Sequence, residues 1–414
     1  MWESKTNTEA IAKGRNPSLV TSTIWSEKII EIQPTGLTSG TIVWEWKLWD
    51  HLVQDFDNSK PNFNSINTNP QLVNINYNAS SNATIGQDWI HFNSIDYNAT
   101  LDQILVSSHS FDEVWIIDHS TTTAQAASHV GGNSGKGGDI LYRWGNPRAY
   151  NNGTVSDQKL FGQHDATWIE NGLPFANQIM IFNNGNGRTG GNYSTVEIIN
   201  TPVNGFNYTS TLPYLPNTTS WNYNAGNPNS LYAQNISSSQ QLSNGNVLYC
   251  DGPNGAFTEI NSSGTKVWNY VNPITNTGIT TQGQTNTSPV FKCIYYPSSF
   301  TGFLGQNLVS GNTIENTNSL SDSCTLSSTE FDLAQSIKVY PNPASNYVTI
   351  ETGFSDGNLK IELINDLGQV LKTNEIIQGN NSIQLETYNL NNGLYFIKIS
   401  DKQISKYQKL LIQK

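Results

Sequence analysis

An all-β fold, an incomplete β-propeller followed by a small C-terminal β-sandwich, is predicted by three observations. Short runs that alternate apolar and polar residues are separated by Asn-, Asp- and Gly-rich turns, the pattern of half-buried antiparallel strands. A unit of four such runs repeats along most of the chain, as the blades of a propeller do. The composition is that of a folded, β-rich exported protein: 36% hydrophobic with 11 Trp, 18 Tyr and 15 Phe, yet only 13% charged.

The elements follow in order. MWESKTNTEAIAKGR has neither the apolar stretch nor the small-residue cleavage site of a secretory signal. IIEIQPTGLTSGTIVWEW reads as the closing hairpin of a blade. Only that last part of a blade precedes His51, so the first blades and the signal are expected to be missing from the chain. Three fuller units come next. Their opening hairpins are HFNSIDYNATLDQILVSS, HDATWIENGLPFANQIMIF and SSSQQLSNGNVLYCDG. Their closing pairs are VWIIDH…DILYRWGNP, STVEIINTP…TSWNY and AFTEINSSGTKVWNYVNP. The propeller is expected over residues 1–304 and a polar linker over 305–335. A compact β-sandwich is expected over 336–414, where KVYPNPASNYVTIE, LKIELINDLGQVLKT, SIQLETYNL, GLYFIKIS and KYQKLLIQK alternate.

Bulk properties exclude several functions. A net charge of −11 without a basic cluster disfavours nucleic acid or an anionic membrane as partner. No run is long enough for a membrane-spanning helix. Cys250, Cys293 and Cys324 lack metal-ligand spacing; they read as small buried thiols plus one in the linker, with one disulfide as the alternative. GGNSGKGGD (131–139) resembles a phosphate-cradling loop, but three residues separate Gly131 from Gly135 and Gly137 follows Lys136. The Walker pattern requires four residues and a Ser or Thr, so nucleotide binding is not expected.

Histidine is the candidate chemical residue. All 6 lie between His51 and His164. His91, His164 and Ser237 each stand seven residues before a turn asparagine, Asn98, Asn171 and Asn244, and recur 73 residues apart. Inner strands of neighbouring blades face a shared axis, so His91 and His164 should converge there. Asn93, two residues on, is expected on the same strand face as His91, and His109 near the same end of the blade. Catalysis, polar filling of a wet channel and metal ligation all remain open on spacing alone. His51, His119 and His129 read as loop or turn residues.

KIIEIQPTG…IVWEW…WDHLVQDFD, DWIHFNSIDYN…ILVSSHSFDEVWIIDHS, GGNSGKGGDILYRWGNP, FGQHDATW and IFNNGNGR…YSTV together resemble the arylsulfotransferase family over about residues 1–300. That resemblance implies an exported bacterial six-bladed propeller that moves a sulfuryl group from an aryl sulfate to a phenol without PAPS or any other cofactor. It makes His164 the transiently sulfated nucleophile, with His91 and Asn93 binding sulfuryl oxygens and helping to protonate the leaving phenolate. Two departures stand out. His109 replaces an arginine that the family can carry, a weaker and pH-dependent cation, for which Arg188 is a substitute or else a turn-stabilising residue. The family's further channel histidine, on an earlier blade, has no counterpart here. YPNPASN, LINDLGQV and GLYFIKIS resemble the type IX secretion sorting domain, which implies the secretion machinery as partner and a secreted or outer-membrane-surface location. The competing expectations are a metal-dependent lyase or hydrolase built on His91, His109 and His164, and a non-catalytic surface-binding propeller whose aromatics recognise glycans.

Overall fold

Each alternating run forms the strand that its period implies. A computed structural model describes residues 1–20, 23–77, 87–209, 211–225, 230–281, 288–309, 314, 337–351, 359–365, 368–376, 381–400 and 405–414. The chain divides into two compact units, Met1–Thr317 and Asn318–Lys414. Most of the expected linker, including Cys324, lies outside the described residues.

The first unit is a succession of antiparallel meanders. β1 (Trp2–Thr6), β2 (Thr23–Pro34) and β3 (Gly40–Lys47) form a three-stranded sheet in chain order; β1 comes from a stretch that the sequence pattern had not marked as a strand. A short parallel pair follows, β4 (Leu52–Val53) with β5 (Val73–Asn74). β6 (Phe92–Asn98), β7 (Gln103–Ser108), β8 (Glu113–Asp118) and β9 (Ile140–Trp144) make the first four-stranded sheet. The second contains β10 (His164–Trp168), β11 (Ile179–Asn183), β12 (Thr195–Ile199) and, after the hairpin of β13 (Val203–Asn204) and β14 (Asn207–Tyr208), β15 (Trp221–Tyr223). The third is β16 (Ser238–Gln241), β17 (Val247–Asp251), β18 (Ala256–Ile260) and β19 (Lys266–Val271), followed by the hairpin of β20 (Ile274–Thr275) and β21 (Gly278–Ile279). These are the three repeats read from sequence. Their turns work as the sequence suggests: Asn98 Oδ1 accepts the amides of Thr100 and Leu101, both at 3.0 Å, and Gly172 and Gly245 both hold φ +88°, a conformation costly for other residues.

Neighbouring sheets are tied through their first strands. Ser94 Oγ and Asp96 Oδ2 on β6 accept the amides of Ala166 (3.0 Å) and Trp168 (2.7 Å) on β10. Asp165 Oδ2 on β10 accepts the Ser239 amide of β16 at 3.0 Å. The pattern continues beyond the last sheet, where Ser238 Oγ and Gln240 Oε1 accept the amides of Cys293 (3.1 Å) and Tyr295 (2.8 Å). Residues 291–295 therefore take up against β16 the place that β10 takes against β6. A bond to a charged acceptor such as Asp96 contributes on the order of 1.5–3 kcal/mol, so these ties fix the relative height of the first strands.

The core lies between sheets. Trp46, Trp115, Tyr142 and Tyr150 are wholly or almost wholly buried, and β7 and β8 are buried at every position. Beneath them sits an ion pair, Arg143 with Glu113, both side chains fully enclosed. Cys250 is buried and Cys293 half-buried, both as free thiols.

The second unit is a two-sheet β-sandwich. β22 (Lys338–Tyr340), β23 (Tyr347–Glu351) and β26 (Ser382–Glu386) form one sheet. The other runs β25 (Val370–Ile376), β24 (Leu359–Ile364), β27 (Gly393–Ser400), β28 (Ser405–Ile412). Alternate residues such as Val348 and Ile350, Ile361 and Leu363, and Ile397 and Ile399 supply its core, the spacing that a pleated strand imposes.

Candidate active site

Backbone geometry at the start of two first strands brings three histidines into a row. His91 precedes β6 with φ +54°, and its carbonyl accepts the His109 amide at 3.0 Å. Their rings approach to 5.1 Å between centroids. His164 opens β10, where a bulge follows and Asp165 takes φ +53°, turning consecutive side chains to different sides. The rings of His109 and His164 lie 5.3 Å apart. Gly162, at φ +64°, keeps this contact open, because a Cβ there would stand 3.3 Å from His109 Nε2. Phe291 closes the far side at 6.2 Å from the His164 ring.

The hydrogen bonds of His164 define its tautomer. Its Nδ1 lies 2.9 Å from Asn184 Oδ1 and 3.2 Å from the Gly162 carbonyl. The Asn184 amide cannot present its nitrogen instead, since Nδ2 donates to the carbonyls of Ala233 (2.7 Å) and Ile236 (2.9 Å). Nδ1 therefore carries the proton and Nε2 keeps its lone pair. Burial depresses the His164 pKa to about 4 against the ordinary 6.5, so the ring is neutral at working pH. Unfolded chains bind more protons than folded ones between these values, so this residue's contribution to stability is lost as pH falls from 6.5 towards 4.

His91 has the opposite setting. Its Nδ1 meets Asp88 Oδ2 at 2.5 Å, and this bond raises its pKa above the ordinary value. His109 is driven to about 4 by burial and then by its two histidine neighbours. This corrects the expectation of a pH-dependent cation: His109 is a neutral imidazole, and no protein hydrogen bond to its ring is found among the described residues. Close by, Asp112 accepts the Gly162 amide at 2.6 Å and Gln158 Nε2 at 2.9 Å, and burial pushes its carboxyl up to about 7.

Two predicted residues stand apart from the row. Asn93 does not share a strand face with His91, because His91 lies outside β6 and the β6–β7 register shifts between Phe92 and Ser94. Its Nδ2 donates to the Gln163 carbonyl at 2.7 Å, bracing the residue before His164, while its Oδ1 is buried without a partner. Arg188 bonds Thr195 Oγ1 at 2.7 Å and Glu197 Oε1 at 3.3 Å, and packs over Tyr193 and Phe161. Its charge is matched there by Glu197 of β12. His119 bonds Asp102 Oδ1 at 2.7 Å. In the glycine-rich insertion the Ser134 amide is spent on Asp118 Oδ2 at 2.8 Å.

Pattern reading missed Asn184, Asp88 and Gln163. Gln163 Nε2 donates to Ser107 Oγ, the Ser108 carbonyl and the Glu113 carbonyl at 2.8–3.1 Å, anchoring the approach to His164 on β7 and β8. The available signal for Asn184 was an Asn-Asn pair ending an otherwise apolar strand, and for Asp88 an acid three residues before a histidine. A cleft of about 540 Å³ near the inner strands is lined by Asp96, Asp165, Trp168 and Lys292 and by none of the three histidines.

Meanders joined through their first strands, with imidazoles gathered at the ends of those strands, define a propeller-type protein with a histidine site. The chain belongs to the arylsulfotransferase family: the family model described as Arylsulfotransferase (ASST) matches residues 11–292. It is thus a sulfotransferase enzyme. Residues 338–413 match a second family model, the secretion system C-terminal sorting domain, which directs export through the type IX system to the cell surface or beyond. No helix of the described residues is long and apolar enough to cross a membrane.

Solved structures are more distant. A protein with an immunoglobulin-like β-sandwich fold from Bacteroides vulgatus is 18% identical over 18% of this chain and 82% of its own, with a TM-score of 0.16. A protein of unknown function from Bacteroides caccae is 12% identical over 47% and 66%, TM-score 0.21. Virginiamycin B lyase from Staphylococcus aureus is 11% identical over 80% and 87%, TM-score 0.24. No curated protein matches the chain.

Proposed function

We propose that the chain moves a sulfuryl group from an aryl sulfate ester to a phenolic acceptor in two displacements, with His164 carrying the group as a sulfohistidine between them. The observation that carries this reading is the 2.9 Å bond between His164 Nδ1 and Asn184 Oδ1, which leaves Nε2 of a neutral imidazole as the nucleophile. In the first displacement the Nε2 pair attacks sulfur. The S–O bond to the aryl group breaks, and the phenolate leaves with its electron pair and takes a proton from the His91 imidazolium. In the second, the acceptor phenol gives its proton to His91 and its oxygen attacks sulfur. The S–N bond then breaks and neutral His164 is restored. The unpaired ring of His109 supplies an N–H to a sulfuryl oxygen, a fixed donor where negative charge sits. Asn93 and Arg188 act one step back, bracing the two loops that hold His164. No cofactor enters this scheme.

Mixing the enzyme with 4-nitrophenyl sulfate and no acceptor tests the intermediate. A burst of about one nitrophenol per active site is expected, with a mass gain of one SO₃ on the peptide bearing His164. Steady transfer without a burst, or the label on another peptide, would overturn the scheme.

The two unequal histidines also set a pH profile. kcat/KM should rise through about pH 4, where His164 loses its proton, and fall on the alkaline side as His91 loses its own. Asp88→Asn removes the bond that raises His91, so the alkaline limb should move down. Asp112 titrates near 7 in both proteins and leaves that difference intact. An unchanged alkaline limb in Asp88→Asn would remove His91 from the acid role.

A further inference from the structure

A second cluster joins His51, His129 and Asp139, the first two of which read as loop residues in the sequence. His51 is not a loop residue in the ordinary sense. It is wholly buried and stacked on Trp46, with centroids 5.6 Å apart and rings 4° from parallel. Its Nε2 lies 2.8 Å from the Ala126 carbonyl, which can only accept, so Nε2 carries a proton. The Nδ1 lone pair then faces another acceptor, Asp139 Oδ1, at 2.9 Å. The same oxygen stands 2.7 Å from His129 Nδ1. Two acceptors facing each other in a buried site require either a second ring proton on His51 or a cation held between them.

We propose that these three residues bind a divalent transition-metal ion, zinc by their ligand type, through His51 Nδ1, His129 Nδ1 and Asp139 Oδ1. All three atoms lie within 4.8 Å of one another. Two imidazoles and a carboxylate are a zinc ligand set, with bonds of about 2.0–2.2 Å. A metal-bound histidine almost always donates its other N–H to a carbonyl or carboxylate, as His51 does to Ala126. Asp139 is 5% exposed, whereas the His129 side chain is 59% exposed. His129 can therefore swing onto the ion, and the solvent side keeps a coordination position open. A groove of about 470 Å³ that includes His129, Asp139, Asn69 and Gln71 in its wall gives the entry path.

The glycine-rich insertion is shaped for this site. A Cβ on Gly138 would fall 2.7 Å from His51 Nε2 and 2.0 Å from the Ala126 carbonyl oxygen. Only glycine lets the chain pass between them and present Asp139. Trp46 Nε1 donates to the Gly138 carbonyl at 2.7 Å, clamping the same residue to β3. The ion is a structural clip: it fastens the β8–β9 insertion to the segment after β3, at a site that shares no residue with the row of His91, His109 and His164.

The full-length protein, loaded with zinc chloride and dialysed against metal-free buffer, should retain about one zinc per chain by elemental analysis. His129→Ala is an exposed change that leaves the fold intact. It should weaken zinc affinity by at least about the 10- to 100-fold that loss of an outer-shell partner costs. Asp139→Asn should abolish retention, and cobalt in place of zinc should give visible bands absent from His129→Ala. Wild type retaining no more zinc than His129→Ala, with cobalt showing only its aqueous spectrum, would reduce the cluster to a hydrogen-bonded His–Asp–His triad and overturn the proposal.

Discussion

Replacing His164 with alanine should abolish release of nitrophenol from 4-nitrophenyl sulfate in the presence of phenol, a fall of roughly 10⁴–10⁶ in kcat, the range seen when a covalent nucleophile is removed. The size follows from what the substitution takes away. Nε2 is the free lone pair at the end of the row, and neither neighbour can replace it. His91 has its Nδ1 taken up by Asp88, a bond that raises its pKa and so favours the protonated ring over a free lone pair. His109 is neutral, but nothing fixes which of its nitrogens carries the proton. The vacated space is lined by the Asn184 oxygen, the Gly162 carbonyl and Phe291, a shape that free imidazole can enter. Added imidazole should therefore restore part of the rate to His164→Ala and none to the wild type. Asn184→Leu is the companion change. It leaves the ring in place but frees its tautomer, and should lower kcat by about 10²–10⁴, in line with the loss of an orienting partner of a catalytic histidine, with KM little altered. Nitrophenol release unchanged in His164→Ala would end the assignment.

How much of this could be read beforehand divides along a physical line. Alternation and turn residues are local, so the β2–β3 hairpin, the three four-stranded meanders and the C-terminal sandwich were visible in the sequence, whereas β1 was not. The equal spacing of His91 and His164 was visible too, because repetition carries a position on one sheet into its equivalent on the next. The orienting groups were not legible. Asn184 acts through the direction of its amide, which is set by carbonyls of Ala233 and Ile236 some fifty residues away. The face assigned to Asn93 failed for a related reason: a bulge breaks the period of two, and bulges leave little trace in composition. The protonation states of His109 and Asp112 come from burial, which depends on what the whole chain brings against them. His51 shows the same limit most plainly. Its sequence neighbours Asp50 and Leu52 suggest a turn, and it is the folded insertion, together with Trp46, that covers it.

Arg143→Met should destabilise the first unit by about 3–5 kcal/mol, the cost of leaving one member of a buried pair behind. Arg143 has no exposed surface. Its guanidinium bonds both oxygens of Glu113 and donates to the carbonyls of Pro70 (3.1 Å) and Leu72 (3.2 Å), with the Tyr150 ring at 4.6 Å. Methionine fills much of the volume but answers none of these acceptors. Removing both charges, as Glu113→Leu with Arg143→Met, should recover part of the loss, because no lone ion then remains, though Trp115 Nε1 loses its 2.9 Å bond to Glu113. The single variant should also acquire a pH dependence whose sign can be stated. Burial already works to raise the Glu113 carboxyl above its ordinary 4.5; without the arginine only the Trp115 hydrogen bond opposes it. The folded variant then binds a proton that the unfolded chain has released. Stability is greatest below pH 4.5 and is lost as pH rises through the higher folded value. Urea unfolding followed by tryptophan fluorescence should show a wider gap between Arg143→Met and wild type at pH 8 than at pH 5. A gap that narrows with rising pH would mean that Glu113 finds another cation, and that the pair is not what holds β8 and β9 beneath the histidine row.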